Sequence, residues 1–170
     1  MPDPLLSERL ELRTHRVDDL DDLLVFHSDA EVIRYIPWPV RTRDETAVAL
    51  ERKLGQVVAR ESGEWIVRAI VERTTGVVIG EVLLKREDAT TAEIGYVIRR
   101  DRWGHGLASE AVRTMIEAAV PSLGLTELVA MVEAENHDSL RLLERLGFKR
   151  LGFSVSGVQD DGAVRLTRRI

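Results

Sequence analysis

Trp103-Gly104-His105-Gly106-Leu107-Ala108 is the stretch on which the reading of this chain turns. Two glycines, one residue apart, separate an apolar strand-like run from a strongly periodic helix. Glycine lets the main chain approach an anion closely, and the first turn of a helix presents unpaired N–H groups to it. A ligand carrying a pyrophosphate is therefore expected here. Taken alone, a Gly-x-Gly turn is equally a tight strand-to-helix connection that binds nothing. A dinucleotide fold is a rival reading, since Gly104-x-Gly106-x-x-Ser109 nearly matches its glycine pattern and Glu133 ends the next strand. That layout normally opens a chain and needs further parallel strands. A P-loop is excluded, because no Gly-Lys-Ser/Thr follows.

Working outward from the glycines, residues 91–99, 77–86 and 64–72 read as three strands. Thr74-Thr75-Gly76 and Glu87-Asp88-Ala89 are their hairpin turns. Before them come an alternating half-buried strand at 9–14 and a helix at 17–27 with aspartates near its start. A short element at 31–36 stops at Pro37-Trp38-Pro39, and an amphipathic helix follows at 44–60. After the glycines, Leu107, Ala108, Ala111, Val112, Met115, Ile116 and Ala119 form one helical stripe, ended by Pro121 and Gly124. A buried strand at 128–132 leads to a helix at 139–146 capped by Gly147. Strands at 149–155 and 163–169, joined by a loop at 156–162, close the chain. The order is β-α-α-β-β-β-α-β-α-β-β. It predicts one α/β (mixed α+β) domain over residues 1–170, with a twisted mixed sheet of about seven strands and helices on both faces.

Composition narrows the function classes. A 170-residue chain is long enough for one real core and leaves little room for a second. Its formal charge of −5 disfavours a nucleic-acid partner and suits cationic amines. No run is long and apolar enough for a membrane span, and the start lacks the regions of a signal peptide, so a cytoplasmic protein is expected. The absence of cysteine removes disulfides, thiolate metal sites and a cysteine nucleophile. The spacing of His15, His27 and His137 is not that of metal ligands, and no metal is expected. The sequence leaves monomer and homodimer open.

Three linked pieces resemble the GCN5-related N-acetyltransferase (GNAT) family, in the branch that holds the ribosomal-protein N-terminal acetyltransferases. They are Glu93-Ile94-Gly95-Tyr96-Val97-Ile98 running into Trp103 to Ala111, then Asn136-His137-Asp138-Ser139-Leu140-Arg141-Leu142-Leu143-Glu144, then Arg145-Leu146-Gly147-Phe148. The opening Ser7-Glu8-Arg9-Leu10-Glu11-Leu12-Arg13 is similar to that branch as well. Where the wider family begins its cradle with Gln or Arg, this chain has Trp103, whose ring is expected to pack.

The resemblance implies acetyl-CoA as co-substrate. Amides of Trp103, Gly104, His105, Gly106, Leu107, Ala108 and Ser109 would hold its pyrophosphate, and the main chain at Val97 and Ile98 would pair with its pantetheine arm as an added strand. It places Asn136 on the same arm and the Ser139 hydroxyl near the thioester sulfur, as proton donor to the thiolate. Helix capping alone also accounts for Asn136. Glu93 lies on a strand face left open by Gly95, and Glu81 is its competitor as general base. A solvated strand glutamate is the plain alternative. Tyr35, Trp38 and Asp160 would flank an acceptor cleft suited to an ammonium group. The predicted reaction is direct acetyl transfer to a primary amine, with a backbone amide near Val97 for the oxyanion and no covalent enzyme intermediate. An N-terminal α-amine, with pKa about 7.7–8.0 against about 10.4 for lysine, is the easier acceptor. An aminoglycoside or polyamine acetyltransferase and a silent acetyl-CoA sensor are the alternatives.

Overall fold

The computed structural model describes residues 1–151 and 162–170. Its eight strands are β1 (Leu5–Leu6), β2 (Leu10–Arg13), β3 (Trp65–Glu72), β4 (Val78–Arg86), β5 (Thr91–Ile98), β6 (Glu127–Glu133), β7 (Lys149–Arg150) and β8 (Ala163–Arg169). They form one sheet in the order β1-β2-β3-β4-β5-β6-β8-β7. The helices are α1 (Leu20–His27), α2 (Ala30–Ile33), α3 (Arg43–Leu54), α4 (Leu107–Leu123) and α5 (His137–Arg145).

The alternation of each strand decides which helices it meets. Leu10, Leu12, Ile70, Leu84, Ile94, Leu128 and Leu166 share a core with the apolar stripe of α4 and with Leu140 and Leu143 of α5. Leu23, Phe26, Val32 and Leu50 of α1, α2 and α3 pack on Ala69, Val71, Val78 and Val97 from the opposite side. Helices therefore lie on both faces, as the stripes predict.

Four local expectations change. The sheet gains a strand because Leu5 and Leu6 pair with Leu12 and Glu11. The short element before Pro37 is a helical turn, α2, started by Asp29, whose side chain accepts from the Glu31 N–H at 3.0 Å. The helix expected to run to residue 60 ends at Leu54, with Gly55 as its cap. Pro121 does not stop α4: it sits inside the last turn, and the stop is Gly124, with φ of 65°.

One topological event makes the site. Among the described residues β5 and β6 are the sheet's parallel pair, but their register covers only Thr91–Glu127, Ala92–Leu128 and Glu93–Val129. Beyond Glu93 the two strands part, and residues 94–98 stay paired to β4 alone. The wedge so opened lies between the two central strands and points at the start of α4.

Candidate active site

The wedge widens into a cavity of about 600 Å³. Val97, Ile98, Trp103, Gly104, Gly106, Leu107, Ala108 and Ser109 line one side of it, Asn136 and Ser139 another, and Tyr35 its rim. Residues about 40 positions apart thus line one cavity. The second glycine is the N-cap of α4, and both glycines are left-handed, with φ of 77° and 76°. The ladder of α4 begins with the Glu110 N–H donating to the Gly106 carbonyl at 3.1 Å. Among the described residues, nothing in the protein accepts from the N–H groups of Gly104 through Ser109. A run of unpaired amides at a helix start is what a pyrophosphate requires, so the cradle fits the group.

The edge of β5 is open by a calculable phase. The Arg99 N–H donates to the Ile79 carbonyl at 2.8 Å, so residues 95, 97 and 99 direct their main-chain groups at β4. Tyr96 and Ile98 therefore face the wedge. Of the two residues expected to meet the co-substrate, Val97 has its N–H committed to β4, and the Ile98 N–H, with that of Tyr96, is the one turned to the wedge. Trp103 departs from expectation too: its indole N–H donates to the Ile98 carbonyl at 2.7 Å, and the residue stays 47% exposed at the cavity wall. Gly80 is what permits the close approach of β4, since a Cβ there would stand 2.2 Å from the Val97 oxygen.

Asn136 is the N-cap of α5, its side chain accepting from the Ser139 N–H at 3.2 Å, and it faces the cavity as well. The Ser139 hydroxyl accepts from the Tyr96 hydroxyl at 3.0 Å. That bond directs the Ser139 proton elsewhere. Burial pushes the Tyr96 hydroxyl up to about 12, so it stays a donor at physiological pH. Tyr96 was not among the sequence-derived candidates, although its place on the wedge follows from alternation with Gly95. Arg34, Arg102, Arg141 and Arg145 also line the cavity. Arg141 and Arg145 stand four residues apart on one face of α5, and Arg141 is paired with Asp138, which lines the same cavity.

Neither candidate base lines the cavity. Glu93 is half-buried at the foot of the wedge, cross-strand from Lys85, and burial raises its carboxyl above the ordinary value. Glu81 is 2% exposed beneath α1 and α3, roughly 13 Å along the sheet from Glu93. Its carboxylate receives the Lys53 ammonium at 2.5 and 2.6 Å, His15 Nε2 at 3.0 Å and His27 Nε2 at 3.2 Å. Burial opposes the charge of Glu81, yet Lys53 and the two histidines hold it well below the usual carboxylate range. His15 Nδ1 in turn faces Asp19 at 3.4 Å, and Asp19 is paired with Arg13. Glu81 is therefore the centre of a buried ionic cluster and not an open base. Trp38 lies away from the cavity, under the Arg41 guanidinium at 4.9 Å, and Asp160 lies outside the described residues. His105 is exposed and does not line this cavity but a separate recess behind the loop. Among the described residues, no group of three or more His, Asp or Glu side chains is arranged to hold a metal ion.

A wedge between parallel strands, a glycine cradle at the following helix and a hydroxyl pair beneath it define an acyl-CoA-using transferase. Residues 9–149 match the family model described as Acetyltransferase (GNAT) domain. The chain is 36% identical over 153 residues to the uncharacterized N-acetyltransferase p20 of Bacillus licheniformis, covering 87% of this chain and 83% of that one. Among solved structures, a GNAT-family acetyltransferase from Bacillus anthracis superposes with a TM-score of 0.83 at 22% identity, covering 98% of both chains. RimL, a ribosomal L7/L12 alpha-N-protein acetyltransferase in complex with coenzyme A, superposes with a TM-score of 0.78 at 19% identity, covering 98% of this chain and 97% of that one. This chain belongs to the GNAT acetyltransferase family, and acetyl-CoA is its co-substrate.

Proposed function

We propose that the chain acetylates the α-amine of a protein or peptide N-terminus. The observation that carries this is the position of the carboxylates. Glu81 is consumed by Lys53 and two histidines, and Glu93 does not line the cavity. A site without a strong base at hand works best on an amine that is already substantially neutral. For an α-amine, deprotonation at neutral pH costs about 3 kcal/mol less than for lysine, at about 1.36 kcal/mol per pKa unit. The structural likeness to an alpha-N-protein acetyltransferase points the same way.

In this reading the neutral amine enters the wedge and attacks the thioester carbon. The Tyr96 and Ile98 N–H groups face that carbon's oxygen and the adjoining arm, since both point away from β4. Ser139, oriented by Tyr96, gives its proton to the thiolate as the C–S bond breaks, and recovers one from water, to which Glu93 returns the proton taken from the amine. Glu93 takes the amine's proton through water, which is the role its raised pKa supports. Tyr35 on the rim receives the acceptor chain.

The test compares acetylation of short peptides with free and with blocked N-termini, the blocked peptides carrying lysine. Turnover of the free peptides alone supports the reading, and equal turnover of both refutes it. Aminoglycosides and spermidine in the same assay check the small-molecule alternative.

A further inference from the structure

The glycine cradle has a back as well as a front. Gly104 and Gly106 line the main cavity, whereas the His105 side of the same turn lines a separate recess of about 340 Å³ together with Arg9, Glu72, Thr74, Asp101, Arg102 and Leu107. Arg9 spans this recess from just before β2. Its Nη1 donates to the His105 carbonyl at 2.9 Å, and its Nε donates to Glu110 at 2.7 Å. The Arg9 main-chain N–H and the Ser7 hydroxyl donate to the other Glu110 oxygen at 2.8 and 2.7 Å. One guanidinium thus ties the loop to the first turn of α4, almost a hundred residues away in sequence.

A trans peptide is planar, with its C=O and N–H pointing in opposite directions. Drawing the His105 carbonyl into the recess therefore turns the Gly106 N–H toward the cavity. The 105–106 peptide runs into Gly106, whose missing Cβ leaves φ weakly restrained, so a contact from outside the loop is what fixes its direction. Glu110 supplies the anchor, with a carboxylate only 16% exposed and four donors arranged around it.

We propose that Arg9 is a positioning residue for the pyrophosphate cradle: it fixes the 105–106 peptide so that the Gly106 N–H faces the phosphates. Glu110 is the fixed point against which it pulls. The inference rests on the acetyl-CoA reading of the cavity. The same salt bridge also compensates the Glu110 charge, which would otherwise face an anionic ligand across the helix start.

Calorimetric titration with acetyl-CoA separates these effects across wild type, R9K, R9Q and R9Q/E110Q. The thermal midpoint of each variant without ligand is recorded alongside. R9Q is expected to bind acetyl-CoA about tenfold more weakly. S-acetylpantetheine, which lacks the pyrophosphate, is expected to bind R9Q and wild type alike. R9K, able to reach Glu110 or the His105 carbonyl but not both, is expected between the two. The double variant removes the charge imbalance but not the loose peptide, and is expected to stay weak. Wild-type affinity in R9Q, full recovery in R9Q/E110Q, or equal losses for both ligands would each overturn the inference. Failure of the wild-type protein to bind acetyl-CoA would instead sink the cofactor reading beneath it.

Discussion

Replacing Glu81 by Gln tests whether this residue holds the fold or performs the chemistry. The substitution keeps the volume and removes the charge. It leaves the Lys53 ammonium, 11% exposed, and the buried His15 ring without the carboxylate that both contact. Removing one partner of a buried ion pair costs about 3–5 kcal/mol, because the other charge stays buried and unpaired. For a chain of this length, about 2–4 °C is lost per kcal/mol, so the thermal midpoint should fall by about 6–20 °C. Lys53→Met in the Glu81→Gln background should recover much of the loss, since the orphaned charge is gone. Scanning calorimetry of the wild type, the two single variants and the double gives this coupling. Steady-state acetylation well below the midpoint gives the catalytic half. A Glu81→Gln protein as stable as wild type but a hundredfold or more slower, the range expected for loss of a general base, would refute the structural role.

Three further outcomes follow from the same geometry. Ser139→Ala should lower kcat by about a hundredfold or more while leaving acetyl-CoA affinity intact in calorimetry, and Tyr96→Phe should lower kcat by a smaller factor, about tenfold, through the lost orienting bond. Gly80→Ala should destabilise by about 1–3 kcal/mol in urea unfolding, because its Cβ would meet the Val97 oxygen and force β4 from β5. The buried cluster also makes stability depend on pH in two directions. Glu81 and Asp19 are held below their unfolded values, so their contribution is present above about pH 4.5 and is lost as pH falls through the folded values. For His15, burial works against the charge but Asp19 and Glu81 prevail and raise its pKa, so its contribution is complete below about pH 6.5 and declines as pH rises through the folded value. Urea unfolding from pH 3 to 9 should show both flanks, and His15→Gln should flatten the alkaline one.

Much of the architecture was legible because it rests on local rules. Alternation in residues 64–99 marks three adjacent antiparallel strands, and hairpin turns of a few residues leave them no other order. The 3.6-residue stripe from Leu107 to Ala119 marks α4 and the face it buries. The Gly-x-Gly turn before it announces an anion cradle, since few other residues accept the backbone angles found at 104 and 106. Asn136 and Ser139 could be placed at a helix start for the same local reason.

What the sequence could not decide is where long-range geometry chooses among equivalent residues. Glu81 and Glu93 are both strand glutamates on the same sheet face. Only the packing of α1 and α3 surrounds the first with Lys53, His15 and His27 and leaves the second at the wedge. Which main-chain amides of β5 face the co-substrate depends on the phase of its ladder with β4, a one-residue distinction that composition does not encode. Arg9 and Glu110 read as ordinary surface charges, and they meet because β2 and α4 share one core. The sequence by itself determined the main strands and helices, the Gly-x-Gly turn before α4 and the family. The tertiary structure alone decided which carboxylate is buried, which amides are open and what holds the cradle in place, because those depend on contacts between segments far apart in the chain.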